Sequence, residues 1–349
     1  MSDQDRDIEQ LALGGSAGTG SSADGVVRIG VESVDGSYRE ADLRGKSFRG
    51  RVLQGIDFTG ARLDGADLTE AQIKRCVFRG ANLAGVRASR ASISECDFVD
   101  TYLVDADLNN VHLEQVDMAG AVLRNAQLRG ARMVGVNMSS ADLTSASLSK
   151  ACFELGRLTG AVLEKADLSK VSMSTVDLDT ASARGAIFAG ATFASVSAKL
   201  ADFSACDFGG ARAHGTSFER ASLQGARFDR FVAGGTSFEF ADLRKTHFTD
   251  SSLPEVVLLG ANLQGASALR TDFERADFSW TEIEGFESIL CKMDGVLRAP
   301  EWSVRYGPAR SRPPESARIP LYRKAATPEE RQKLFEAALE IENMLRDKR

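Results

Sequence analysis

Three histidines, five cysteines and 49 acidic side chains are the residues of this 349-residue chain that could carry out proton transfer, metal binding or nucleophilic attack. His112, His214 and His247 lie far apart, with no second histidine or cysteine at ligand spacing, so neither a metal site nor a catalytic triad is expected. Cys76, Cys96 and Cys206 stand where alanine usually stands in the surrounding pattern, which marks them as core thiols. Cys76 and Cys96 are 20 residues apart and can approach one another, but a structural disulfide is not expected. Gly45-Lys46-Ser47 lacks the spacing and the strand–helix setting of a phosphate loop. The one dense group of charge runs between Arg90 and Arg124. It holds Glu95, Asp97, Asp100, Asp105, Asp107, Glu114 and Asp117 with no Lys or Arg. No catalytic residues, cofactor or metal are expected, and the chain reads as a non-enzyme.

The element that must position these residues is a repeat. From Ala41 to Ile283 a hydrophobic residue or alanine returns every five residues, as in Leu43, Phe48, Leu53, Phe58, Leu63 and Leu68. Two residues earlier stands a small one, as in Ala61, Ala66 and Ala71, and Asp or Asn often falls between. Neither helical nor strand periodicity yields a spacing of five. Two apolar positions separated by two lie on one side of a short extended piece. The remaining residues turn the chain, and glycine clusters there (Gly45, Gly50, Gly55, Gly60, Gly65) because a tight turn asks for positive φ. Four such corners close a square coil of about 20 residues, and coils stack at roughly 4.8 Å. About 49 units then make an all-β solenoid of about 12 coils. The ladder Leu43, Leu63, Leu83, Leu103, Leu123, Leu143 and Leu163 should point inward throughout.

Ala-Asp-Leu-Thr-Glu (66–70), Ala-Asn-Leu-Ala-Gly (81–85) and Ala-Asp-Leu-Thr-Ser (141–145) resemble the pentapeptide repeat family. The resemblance covers about 70 per cent of the chain. It implies a right-handed quadrilateral β-helix and implies little about activity. Some members of that family inhibit type II topoisomerases by imitating duplex DNA.

Around the repeat, residues 1–25 read as a flexible Gly/Ser-rich leader and 26–40 as a capping strand. The solenoid is assigned to 41–285 and a closing segment to 286–298, since the register fails after Ile283. Lys46 and Arg51 occupy inward small positions, so the first coil is expected to be loose or open-ended. Ala183, Ala198, Ala213 and Ala233 take large positions and predict a thin core between 183 and 233. Residues 299–326 hold five of the seven prolines and form a Pro/Arg-rich tether. Thr327-Pro328-Glu329-Glu330 then opens a short C-terminal α-helix over 327–349, with Leu334, Ala338, Ile341 and Leu345 on one stripe. That stripe needs a surface to pack on. Because outward rod positions are mostly polar, pairing in a homodimer or capture of a partner is expected ahead of docking on its own rod.

The net charge of −6 is too mild for a nucleic-acid binder or a polyanion. No apolar run reaches membrane-spanning length, and the N-terminus lacks the basic and apolar parts of a signal peptide. A bacterial cytoplasmic protein is expected, with export by a specialised secretion system left open. The favoured function is a rigid scaffold for protein–protein interaction, such as a secretion-associated accessory or effector. The alternative is a DNA-mimicking gyrase interactor or resistance protein acting through the acidic band 95–117. Candidate partner-binding residues are that band and the stripe Leu334, Ala338, Ile341 and Leu345.

Overall fold

The computed structural model describes residues 37–297. Every fifth residue from 40 to 295 has positive φ: 21 glycines and 31 others, 52 corners in all. Four corners make a turn, so the described chain closes between 12 and 13 turns of an all-β solenoid. A non-glycine residue in this conformation is strained by about 1–2 kcal/mol. The repeat sustains it because most corner N–H groups are hydrogen-bonded to the coil above, as Glu70 is to the Ser89 carbonyl at 3.1 Å.

Successive coils pair in parallel at an offset of 20, on four ladders that begin Ser37↔Asp57, Asp42↔Arg62, Ser47↔Asp67 and Val52↔Gln72. The cross-section is therefore four-sided. On three sides one residue pairs, and the corner closes with a bond from the N–H three residues on, as Ala61 donates to Phe58 at 2.9 Å. The fourth side stays extended for three paired residues, giving ten strands at 20-residue intervals from Val52–Gln54 to Val232–Gly234. Among the described residues no turn bond closes the corners that follow Leu53, Ile73 or Ile93.

A wider corner leaves more room behind it. The inward position after it holds Ile56, Cys76, Cys96, Val116, Val136, Val176, Val196, Thr216 and Thr236, where closed corners lead mainly into alanine. Between 234 and 247 the wide corner moves to the preceding side, and the strands continue as His247–Thr249, Ser267–Leu269 and Glu287–Ile289. Ser251, Thr271 and Cys291 now follow it. The Thr271 hydroxyl donates to the Phe248 carbonyl at 2.9 Å. Stacking is uninterrupted across the change, since Arg227↔His247 and Val232↔Ser252 still pair.

Between residues 53 and 281 the core is one continuous column in which both inward positions of each pentapeptide are buried, such as Ala61 with Leu63. The Leu43–Leu163 ladder is at most 1% exposed. Rings 20 residues apart stack face to face: Phe58–Phe78–Phe98 at 4.8 and 4.5 Å, and Phe188–Phe208–Phe228–Phe248 at 5.1, 5.0 and 5.0 Å.

Three expectations change. The thin core at Ala183 and Ala213 is filled from the other sides by Phe188, Phe193, Phe203, Phe208 and Phe218. Volume is conserved across the section rather than at each position. The first coil is formed, with Phe48 N–H bonded to Asp67 O at 2.7 Å. Lys46 and Arg51 remain half-exposed there, long side chains that can bury their stems while the charge reaches water. The five-residue register also runs past the boundary set at 285. Asp272↔Lys292 and Asp277↔Leu297 pair, and Gly295 makes a corner, because backbone stacking survives the loss of the apolar signature. The leader (1–25), residues 26–36, and the tether and helix beyond 298 lie outside the described residues.

Candidate functional site

Aspartates of the repeat spend their side chains on the corners. Asp57 Oδ1 accepts from Thr59 N–H at 2.8 Å, Asp97 from Val99 at 2.9 Å and Asp117 from Ala119 at 3.0 Å. These Asx turns supply the acceptor that the corner amide needs. Burial pushes such carboxyls up, but it is outweighed. The hydroxyl and backbone N–H of Thr59, Thr69, Thr144 and Ser204 hold Asp57, Asp67, Asp142 and Asp202 below the ordinary carboxylate range. Arg44 holds Asp42 at about 2. A depressed folded value means that the stabilisation is complete above the unfolded value near 4 and is lost as pH falls through the folded values. Melting temperature should therefore be flat from about pH 7 to 5 and fall steeply below about pH 4. A melting curve measured at each pH, with no change down to pH 3, would show that these bonds do not hold the corners.

The acidic band does not form a single stripe. Asp97 and Asp117 pair one above the other, with Asp100 at the next corner. Asp105 and Asp107 lie on the following sides, and Glu114 lies on the strand side. The residues thus encircle the rod in little more than one coil. Lys74 pairs with Glu95 at 2.9 Å and Arg79 with Asp97 at 2.7 Å. Among the described residues Asp100, Asp105, Asp107 and Asp117 have no ion pair, while Asp105 accepts from Asn125 and Asp117 from Asn137. Elsewhere Arg124–Asp142, Arg184–Asp202 and Arg270–Asp250 repeat the coil-to-coil pairing. Exposed pairs of this kind add little stability but cancel charge along every side.

The histidines stay apart on different coils, in the strands His112–Glu114, Arg212–His214 and His247–Thr249. Among the described residues no group of three or more His, Cys, Asp or Glu could hold a metal ion. Cys76 N–H points at Cys96 Sγ (3.3 Å), and the Cys76 thiol contacts the Leu53 carbonyl at 3.5 Å. Its contact with Cys76 and its burial push the Cys96 thiol well above the ordinary value, and burial pushes Cys206 up to about 12. All five thiols are free. A shallow groove crosses Leu155, Gly156, Thr175 and Ser195. Gly156 stands there where Val136 and Val176 stand one coil to either side, and within the groove Ser197 Oγ donates to Asp179 Oδ1 at 2.6 Å, with no histidine among the lining residues.

One surface feature escapes a reading in fives. Leu200, Phe240 and Trp280 occupy one corner edge at intervals of 40 residues, two coils apart, all with positive φ. Glycine fills the same edge at 60, 80, 120, 160 and 260. Taking every twentieth residue would have revealed it. The C-terminal candidates Leu334, Ala338, Ile341 and Leu345 lie outside the described residues.

A four-sided parallel β-solenoid built from five-residue units, with its acids engaged in turns and ion pairs, defines a repeat protein of the rod type. Eight copies of the Pentapeptide repeats profile match within residues 41–279 (41–80, 71–110, 81–120, 101–139, 121–160, 157–194, 200–231 and 241–279). The chain belongs to the pentapeptide repeat family. Among solved structures it is similar to HetL, a pentapeptide repeat protein involved in heterocyst differentiation regulation from the cyanobacterium Nostoc sp. strain PCC 7120. Identity is 22%, over 74% of this chain and 89% of that one, with a TM-score of 0.31. It is also similar to trypsin-treated QnrB1, a plasmid-mediated fluoroquinolone resistance protein, at 16% identity over 52% and 87% of the two chains (TM-score 0.33). A third is Rfr23 from the cyanobacterium Cyanothece 51142, at 19% identity over 32% and 85% (TM-score 0.26). No curated protein matches the sequence.

Proposed function

We propose that the rod is a non-enzymatic, rigid scaffold for protein–protein interaction. The observation that carries this reading is the unbroken series of 52 corners, with no loop inserted between residues 40 and 295. Such a stack presents four long, mostly polar sides whose shape does not change on binding. A secretion-associated accessory or effector is one setting for such a rod. No described helix is long and apolar enough to cross a membrane, and a cytoplasmic location fits this reading. The test is purification of the intact protein from its native host with cross-linking, followed by charge reversal one side at a time. One side should lose a stoichiometric partner while the other three keep it. Failure to recover any stoichiometric protein would end this reading.

The second reading is a gyrase interactor that imitates DNA, and the in-register Asp97–Asp117 pair with Asp100 beside it favours it. B-DNA carries one negative charge per ~1.7 Å, which is about three per coil of ~4.8 Å. Residues 38–290 hold 33 acids against 28 bases, far below that density. Only the band between Glu95 and Asp117 approaches it, over fewer than two coils. Changing Asp97, Asp100, Asp105 and Asp107 to Asn should abolish any inhibition of gyrase supercoiling. A protein that gives no inhibition at micromolar concentration before substitution removes this reading.

A further inference from the structure

Most exposed corners carry glycine or a polar side chain, so a bulky apolar residue there needs a reason. Leu200 is 60% exposed and Trp280 is 56% exposed, both in the left-handed conformation that disfavours such side chains. Phe240, midway between them, lies over Gly260, where an added Cβ would meet its ring at 2.5 Å, and the Arg220 guanidinium sits 5.7 Å from the ring centroid. The three share one edge at two-coil intervals. With Arg220 and Gly260 on the intervening coils, and at ~4.8 Å per coil, their three apolar side chains mark out a track roughly 19 Å long, parallel to the rod axis. Leu297, 56% exposed, pairs with Asp277 one coil above the side that ends at Trp280. The described chain therefore ends at the upper end of this track.

Fifty-two residues follow Leu297, and in the segment 327–349 the helical-spacing stripe is Leu334, Ala338, Ile341 and Leu345. As a helix these span roughly 16 Å at ~1.5 Å per residue, close to the length of the track. We propose that residues 327–349 of the same chain dock along the edge formed by Leu200, Phe240 and Trp280. The tether of residues 299–326 is long enough to turn back over four coils. A segment tethered in this way sees its track at an effective concentration on the order of millimolar. A second copy at micromolar concentration cannot match that. This departs from the sequence-based preference for pairing, which rested on the outward positions being mostly polar.

The test uses the full chain with Trp302→Phe, which leaves Trp280 as the sole tryptophan and a reporter within the track. Adding Leu334→Asp and Ile341→Asp, both outside the rod, should shift Trp280 emission to the red. The acrylamide quenching constant should rise several-fold, with far-UV circular dichroism of the strands and solution mass unchanged. Trp280 equally quenched in both proteins overturns the proposal. So does protection of Trp280 that disappears on dilution together with a halving of mass, which would assign the track to a second copy.

Discussion

Replacing Leu123 by Asp should lower the melting temperature by roughly 10–20 °C. Leu123 is fully buried, within the ladder that holds Leu103 below it and Leu143 above. Its N–H donates to Asp142 O at 2.7 Å and its carbonyl accepts from Ala126 at 3.1 Å, so the backbone cannot turn the new side chain outward without breaking a corner. The loss combines a buried leucine with an unpaired carboxylate in a dry interior, about 5 kcal/mol in total. For a domain of this size each kcal/mol shifts the midpoint by about 2–4 °C. Burial raises the carboxyl's pKa, so part of the loss should be recovered on lowering the pH from 7 to 5. Because each coil contacts only its neighbours, the transition should also broaden as the two halves of the rod separate. Thermal unfolding followed by circular dichroism measures all three effects. Wild-type-like melting would contradict the five-residue register.

Phe208→Ala should be nearly as damaging, at about 3–5 kcal/mol. Its ring stacks between Phe188 and Phe228 at 5.1 and 5.0 Å and meets Phe203 and Phe218 edge-on at 5.8 and 6.1 Å. These contacts cross the section at the level where Ala183 and Ala213 contribute little volume. Alanine would leave a void bordered by six rings, those of Phe188, Phe193, Phe203, Phe218, Phe228 and Phe231. Phe208→Leu should cost only about 1.5 kcal/mol, because it conserves most of the volume. Denaturant unfolding of the two variants separates the outcomes. Equal, small losses would mean that the aromatic column is not the core of this half of the rod.

The aromatic column shows how far the sequence could be read. Each Phe was visible as an inward position, and so was each alanine that replaced one. Their compensation was not, because it joins residues on different sides of the coil. The corners behave in the same way. Glycine at Gly45 or Gly60 marked the turn directly, whereas Leu200 and Trp280 adopt the same conformation without the usual residue. There the stacking of the coils, not local preference, imposes the backbone. The wide corners left a trace in the valines, threonines and cysteines at 76, 96, 116, 136, 216 and 236, but only a period of 20 separates them from the other small positions.

What the sequence determined by itself was the unit: five residues, two of them inward, one at a corner, repeated until a rod was the only structure that buried them all. That follows from chain-local chemistry, since side-chain direction and turn conformation are set within each unit. The tertiary structure decided which residues become neighbours across an offset of 20. It paired Arg79 with Asp97, spread the acidic band around the rod, carried the register on to Leu297, and placed Leu200, Phe240 and Trp280 on one edge. The physical reason is that stacking distance converts separation along the chain into proximity in space. A coil of about 20 residues brings positions 20 apart to within roughly 4.8 Å, closer than residues two apart on the same strand.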